Sequence, residues 1–271
     1  MPELPEVETT LRGITSHIEG VVIKDIIIRQ AKLRWPIPAD LAQTLKGREI
    51  INVSRRAKYL LFNFEHGTLI IHLGMSGNLR VLTETFPAEK HDHFDLVLAN
   101  GKRLRYRDPR RFGACLWQAA EKGLHPLLQK LGPEPLSEQF NTDYLLSANS
   151  SRKIAIKLAM MDNHTVVGVG NIYAAESLFR AKINPNRAAN SLNAQESAQL
   201  IDAIKATLGD AIIAGGSTLR DYVDSDGKAG YFQLSAFVYG RAGMPCRICK
   251  SEIKQIRQGQ RSTFYCPYCQ H

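Results

Sequence analysis

Met1-Pro2-Glu3-Leu4-Pro5-Glu6-Val7-Glu8 opens the chain. Pro5 suits the first turn of a helix, and Glu6 and Glu8 complement the positive end of its dipole. Leu4, Val7 and Leu11 then share one apolar face. A helix is therefore predicted from Pro5 to about Glu19-Gly20, where glycine can end it. The stretch is acidic and has no apolar run, which excludes a signal peptide. On spacing alone it is an ordinary capped helix. Removal of Met1 would add chemistry, because the chain would then begin with the secondary amine of Pro2. An α-amino group titrates near pH ~8, so a fraction is uncharged at neutral pH. A helix N-terminus would lower that value, and the charges of Glu3, Glu6 and Glu8 would raise it. A free secondary amine can attack a sugar C1′ and form an iminium, and Glu3 stands beside it to donate or accept the proton.

The 271 residues allow about two domains with a real core. Lys and Arg number 35 against 26 Asp and Glu, a net charge of +9. That balance favours a polyanionic partner, nucleic acid first, over a merely solvated basic surface. No apolar run reaches transmembrane length, and with no targeting segment a cytoplasmic location is expected. Four of the five cysteines cluster near the C-terminus, which argues for metal rather than disulfides. Cys115 stands apart and is expected in the core.

Val21 to Arg29, Arg48 to Val53, Tyr59 to Phe64, and Thr68 to Leu73 read as strands. Phe94 to Leu98 is expected to pair with Lys102 to Arg107 across Asn100-Gly101, a two-residue hairpin signal. Several short strands behind one helix suggest a sandwich. Leu131-Gly132-Pro133-Glu134-Pro135 breaks the pattern as a linker. Helices follow: Lys153 to Met161, a second that Asn171 can cap and that runs to about Phe179, and a third opened by an Asn193/Glu196 capping box and ended by Gly215-Gly216. Ser217 to Tyr231 is polar and reads as a mobile loop. The fold class is thus α+β, with an N-terminal β-sandwich domain at 1–131, a helical domain at 132–238 and a cysteine module at 239–271.

Cys246, Cys249, Cys266 and Cys269 form C-x2-C-x16-C-x2-C, the spacing of one structural zinc ion held by four thiolates. Four ligands fill the tetrahedron, so the metal folds the module and leaves no open position. Between the cysteine pairs, a hairpin around Gln258-Gly259-Gln260 would put Arg261 near its tip. The most basic run is Lys102 to Arg111. Arg103, Arg105 and Arg107 share one strand face, which could simply be solvated. An exposed Phe112 next to Arg110 and Arg111 could wedge between bases while an arginine reads a base edge; a buried Phe112 would be core. Met75, on the glycine-flanked turn Gly74 to Gly77, is either a space-filler in an unstacked duplex or a loop anchor. Arg55-Arg56-Ala57-Lys58 is a candidate phosphate contact. His91-Asp92-His93 lacks a third ligand, which favours hydrogen bonding over metal. Gly168-Val169-Gly170-Asn171 is a tight turn that could also hold a phosphate at the next helix start.

Together these stretches resemble the bacterial formamidopyrimidine-DNA glycosylase family. The resemblance spans the chain through Pro2-Glu3-Leu4-Pro5-Glu6-Val7-Glu8, Arg56-Ala57-Lys58-Tyr59, His72 to Gly77, Lys90 to His93, Asp108 to Gly113, Gly168 to Tyr173, Ser225-Asp226-Gly227-Lys228 and the cysteine module ending Arg261 to Cys266. It implies a sandwich, a helix–two-turn–helix domain and a zinc finger, with duplex DNA in the cleft between the first two, and a monomer. It also implies excision of oxidised purines such as 8-oxoguanine and formamidopyrimidines, followed by strand cleavage. By position, Pro2 would be the Schiff-base nucleophile and Glu3 the proton donor and acceptor. Lys58 would serve β-elimination and a phosphate, and Arg261 δ-elimination and a phosphate. Met75, Arg110 and Phe112 would fill the gap left by the flipped base, with Arg110 facing the orphaned cytosine. His91, Arg152, Lys157 and Asn171 would contact the backbone, and Ser217 to Tyr231 would close over the flipped base. Two positions depart from the family pattern: Leu158 stands where proline is common, and Arg152 where lysine is usual. The related endonuclease VIII group, directed at oxidised pyrimidines, shares the proline–glutamate start and the finger. It usually has glycine at the place of Leu4 and lacks the Met75, Arg110 and Phe112 set. A non-catalytic binder of damaged DNA is the alternative of another class, and the intact Pro2-Glu3 pair and Lys58 argue against it.

Overall fold

The computed structural model describes residues 2–84, 86–216 and 236–271. Met1 and the expected loop at 217–231 lie outside them. The chain divides into two compact units, one running to Gln129 and taking in Gly215 and Gly216, the other built from Lys130–Ala214 and 236–271.

The first unit begins with helix α1 (Leu4–Ile18), which carries Pro5 in its first turn. Glu3 is its N-cap, and Glu3 and Glu6 form a reciprocal capping box. Two antiparallel sheets follow. Strands β1 (Val21–Ile28), β2 (Glu49–Ile50), β6 (Asn78–Leu82), β7 (Asp92–Leu98) and β8 (Arg103–Arg107) form one, in the order β2-β1-β7-β8-β6. Strands β3 (Asn52–Arg56), β4 (Tyr59–Phe64), β5 (Gly67–His72) and β9 (Ala114–Ala119) form the other, in the order β3-β4-β5-β9. Short helices α2 (Leu41–Leu45) and α3 (Pro126–Gln129) complete the unit. The core joins Ile14 and Ile18 of α1 to inward residues of both sheets, such as Ile23, Leu96 and Leu104 from one and Leu60, Phe62 and Leu69 from the other. Burying each such side chain contributes about 1.5–3 kcal/mol. Cys115 is in this core, and burial pushes its thiol up to about 12, as an inert core thiol requires.

The sequence reading misses β6 and β9, whose residues carry no clean alternation of apolar and polar side chains. It also merges β2 and β3, which belong to different sheets. The arginine face of β8 is not solvated. Arg105 is buried and bonds both oxygens of Asp95 at 2.9 Å. Arg29 pairs with the same carboxylate at 2.7 Å. Arg107 pairs with Glu89 and Asp92. These cations are committed to β7 and its flank rather than offered to a partner.

The second unit holds α4 (Thr142–Asn149), α5 (Ile156–Met160), α6 (Asn171–Arg180), α7 (Ala194–Ile213) and a hairpin of β10 (Lys254–Gln258) and β11 (Arg261–Tyr265). The helix expected at 153–161 is shorter, because Ile156 donates its amide to Arg187 and Ile154 is exposed. Gly170, not Asn171, caps α6. The Asn193/Glu196 capping box forms as expected. Glu176 of α6 is buried, and its carboxylate accepts the N–H groups of Phe237, Val238 and Tyr239. That grip anchors the segment leading into the cysteine module. Among the described residues, no helix is long and apolar enough to cross a membrane.

The buried ion pairs give a test. Arg105→Met leaves the fully buried Asp95 with only partial compensation, and is expected to destabilise the unit by about 3–5 kcal/mol. Urea unfolding measures it, and a loss below about 1 kcal/mol would show the pair to be dispensable.

Candidate functional site

In the first unit the predicted residues lie at the start of α1 and on the turns and loops between strands. Pro2 and Glu3 are buried at the start of α1, and Glu3 donates its amide to Glu6 Oε2 at 2.7 Å. One turn further, Glu8 pairs with Arg55 and Arg12, both at 2.9 Å. Burial alone would raise the Glu8 carboxyl, but the two guanidinium groups outweigh it and hold it below the ordinary range. Arg55 also donates to the carbonyl of Ala57 at 2.8 Å. Ala57 and Lys58 are the two turn residues between β3 and β4, since Arg56 pairs with Tyr59. Ala57 has φ +53°, a left-handed conformation unusual for a residue with a Cβ. The chain Glu8–Arg55–Ala57 thus couples the first turns of α1 to the turn that carries Lys58.

His72 lies beside this turn, its ring 4.9 Å from that of Tyr59. It accepts the Gly74 amide at Nδ1, 2.9 Å, so a neutral ring carries its proton on Nε2. Burial first, then the charges of Lys58 and Arg34, push its pKa down to about 4, with Asp108 pulling weakly upward.

The turn carrying Met75 and the loop carrying Arg110 and Phe112 meet at one carboxylate. Asp108 is 0 % exposed. Its Oδ1 accepts the Ser76 hydroxyl at 2.7 Å, and its Oδ2 accepts the Gly113 amide at 2.8 Å and the Tyr106 hydroxyl at 3.2 Å. Arg110 donates its amide to Ser76 Oγ at 3.1 Å. His93 is the extra residue of a bulge in β7 and donates Nε2–H to the Asp108 carbonyl at 2.7 Å. Gly74 and Gly113 have no room for a Cβ. At Gly74 it would lie 2.4 Å from the Gly113 nitrogen, and at Gly113 1.7 Å from the Tyr106 hydroxyl. The outcome is a rigid base from which Phe112 projects 47 % exposed, with the Arg110 guanidinium 5.0 Å over its ring. Met75 is half-buried. Phe112 is therefore no core residue. His91 is half-buried, and its carbonyl accepts the Asp108 amide.

In the second unit the hairpin turn is Gly259-Gln260, with φ +51° and +63°, the pair of positive values a two-residue hairpin turn needs. Arg261 follows it and is exposed. Lys157 is fully buried. Its ammonium donates to Asn171 Oδ1 at 2.5 Å and Thr263 Oγ1 at 2.7 Å, while Asn171 donates to the Ser262 carbonyl at 3.1 Å. Leu158 faces the hairpin tip, where a Cβ on Gly259 would lie 3.1 Å from its side chain. Arg152 pairs with Asp162 at 2.9 Å and with Thr165 at 2.7 Å. Both departures from the expected pattern are thus absorbed by local packing.

The four cysteine sulfurs lie within 4.8 Å of one another. Cys246 and Cys269 are 4.0 Å apart and Cys249 and Cys266 3.4 Å. A tetrahedron of Zn–S bonds about 2.3 Å long has edges of roughly 3.8 Å, so the set fits zinc. The amides of Ile248 and Cys269 each point at a cysteine sulfur at 3.4 Å, as thiolates favour.

Residues 1–115 match the formamidopyrimidine-DNA glycosylase N-terminal domain, 131–223 the H2TH domain of the same enzyme, and 243–271 a zinc finger found in FPG and IleRS. The chain belongs to the formamidopyrimidine-DNA glycosylase family. It is 57 % identical to the formamidopyrimidine-DNA glycosylase of Neisseria meningitidis and 54 % identical to that of Thioalkalivibrio sulfidiphilus, each over 100 % of both chains. Among solved structures, a mutant Lactococcus lactis FPG bound to Fapy-dG-containing DNA superimposes with a TM-score of 0.92 at 36 % identity, covering 100 % of both chains. The FPG protein of Thermus thermophilus gives 0.87 at 39 % identity, covering 99 % of this chain and 98 % of that one. The cysteine set is accordingly the family's zinc finger, holding one structural zinc ion.

Two expectations follow. Asp108→Ala strands the Ser76 hydroxyl and the Gly113 amide, and should lower stability by about 3 kcal/mol in urea unfolding; an unchanged midpoint would deny it the organising role. His72 is neutral in the folded chain but protonates below about 6.5 when unfolded. Its contribution to stability is full above that pH and is lost as pH falls toward about 4. Thermal melts from about pH 7 to about pH 4 should decline, and less steeply in His72→Gln; equal slopes would assign the decline to other groups.

Proposed function

We infer that the chain excises oxidised purines from duplex DNA and then cleaves the strand as an AP lyase. The full-length family match carries the activity. Met75, Arg110 and Phe112, on the two loops joined at Asp108, support the purine-directed branch, with Arg110 facing the cytosine that a flipped guanine-derived base leaves. A base cannot be cut inside the stack, and flipping costs a few kcal/mol. Phe112 and Met75 offset that cost by replacing lost stacking, and Arg110 meets the orphaned base.

The Pro2 nitrogen, freed of Met1, attacks C1′; the glycosidic bond breaks, the amine gives up its N–H proton, and the base leaves carrying one. Glu3 supplies the proton that opens the sugar, leaving an iminium on Pro2, and takes it back later. Loss of a C2′ proton expels the 3′ phosphate, the step Lys58 assists; loss of a C4′ proton expels the 5′ phosphate, the step Arg261 assists. Lys58, His91, Asn171 and Arg261 hold backbone phosphates, which positions the strand without reading sequence. Arg152 and Lys157 join that set with their charge already engaged by Asp162 and Asn171, so their effect on DNA runs through those partners. The protein acts in the cytoplasm on nucleoid DNA.

A pyrimidine-directed activity is the second reading. One neighbour, a wild-type Lactococcus lactis FPG at 36 % identity, is a complex with oxidised-pyrimidine DNA, so excision and not binding separates the two. Borohydride added to the protein with an 8-oxoguanine·cytosine duplex should trap an adduct that mass mapping places on Pro2. One residue inserted before Pro2 turns the amine into an amide and should abolish trapping. Glu3→Gln should lower base excision about 100-fold or more. Trapping only with oxidised pyrimidines would favour the second reading, and tight binding with neither trapping nor cleavage would sink the enzymatic one.

A further inference from the structure

Residues 30–37 form a tight loop after β1 that no assigned role touches. Leu33 and Ile37 are buried and pin it to the core. Internal bonds fix its shape: Ile37 donates to the Ala31 carbonyl at 2.9 Å, Leu33 to the Trp35 carbonyl at 3.1 Å, and the Gln30 side chain to the Lys32 carbonyl at 3.0 Å. Between the pins the loop displays Arg34 and Trp35.

Three observations bear on what Arg34 can do. Its amide donates to the Gly113 carbonyl at 3.0 Å, which attaches it to the loop that carries Phe112. Its charge is felt by His72 and by Tyr59, the two residues next to the Lys58 turn. Its guanidinium is exposed and, among the described residues, is held by no carboxylate; it lies 4.7 Å over the Trp35 ring instead. Arg29, Arg55, Arg103, Arg105 and Arg107 all have acidic partners. A cation braced on an aromatic face keeps its charge and its N–H donors for an outside anion, at a lower ordering cost than a free side chain. The anion that the Lys58 side of the molecule handles is phosphate.

We propose that Arg34, stacked on Trp35 and tied through its amide to Gly113, binds a DNA backbone phosphate flanking the one taken by Lys58. The proposal rests on the DNA-glycosylase reading. It makes Arg34 a binding residue whose position is locked to that of the Phe112 loop, so the phosphate it holds is set at a fixed distance from the wedge. Arg34 forms no bond in the reaction.

Salt dependence gives the test. Binding of the full-length protein to a duplex with a reduced abasic-site analogue is titrated from about 50 to about 300 mM KCl. One lost phosphate contact lowers the slope of log K against log[KCl] by about 0.9. Arg34→Ala should show that drop and about tenfold weaker binding at about 100 mM KCl. Arg34→Lys should restore the slope, and Trp35→Ala should weaken binding while keeping it. On a preformed abasic site the apparent KM should rise far more than kcat falls. Matching circular dichroism melts exclude misfolding, and only an amide of this exposed residue is used by the fold. An unchanged slope in Arg34→Ala, or a loss confined to kcat, would overturn the proposal. Wild-type protein that neither binds the analogue duplex nor is trapped by borohydride on a natural abasic duplex would overturn the glycosylase reading, and this one with it.

Discussion

The Asp108 carboxylate is the constraint on which the rest of the site depends. A buried carboxylate is costly unless its lone pairs are used. Here they are used by Ser76, Gly113 and Tyr106, groups from three separate stretches. The two loops that meet there have no regular structure of their own. They are positioned because Asp108 must be satisfied and because Gly74 and Gly113 permit backbone to touch backbone. The exposed aromatic and its arginine are consequences of that joint, and so is their rigidity.

Charge in this protein is sorted by burial. A net +9 suggests a uniformly basic surface. Much of the positive charge in the sandwich is instead neutralised by Asp92, Asp95, Glu89 and Glu8. Lys58, Arg110 and Arg34, by contrast, stand on turns and loops. Those turns are the places where backbone geometry, not strand alternation, sets direction.

Most strands and the long helix α7 are legible in the sequence because periodicity and capping residues are local signals. The hairpin tip is legible too, since Gln258-Gly259-Gln260 supplies the turn chemistry. The spacing of the four C-terminal cysteines reads directly as a metal centre. What is not legible depends on long-range pairing. Nothing local shows that Arg105 is buried against Asp95 or that Asn171 turns its side chain to Ser262. Likewise nothing local marks Lys157 as buried, yet it is fully buried and bonded to Asn171 and to a hairpin far along the chain. Motif order singles out the wedge residues; only Asp108, which sequence reading passes over, explains why they stand together.

The cysteine module is moored at more than one place. Thiolates and zinc hold the knuckles. Glu176 grips the segment that enters the module, Gln270 bonds the Ile183 carbonyl near its exit, and Lys157 holds the hairpin through Thr263. Only the first of these moorings involves the metal. The module therefore behaves less like an independent finger than like a bracket bolted to α5, α6 and the segment after α6, whose far bolts do not share the redox chemistry of the near one.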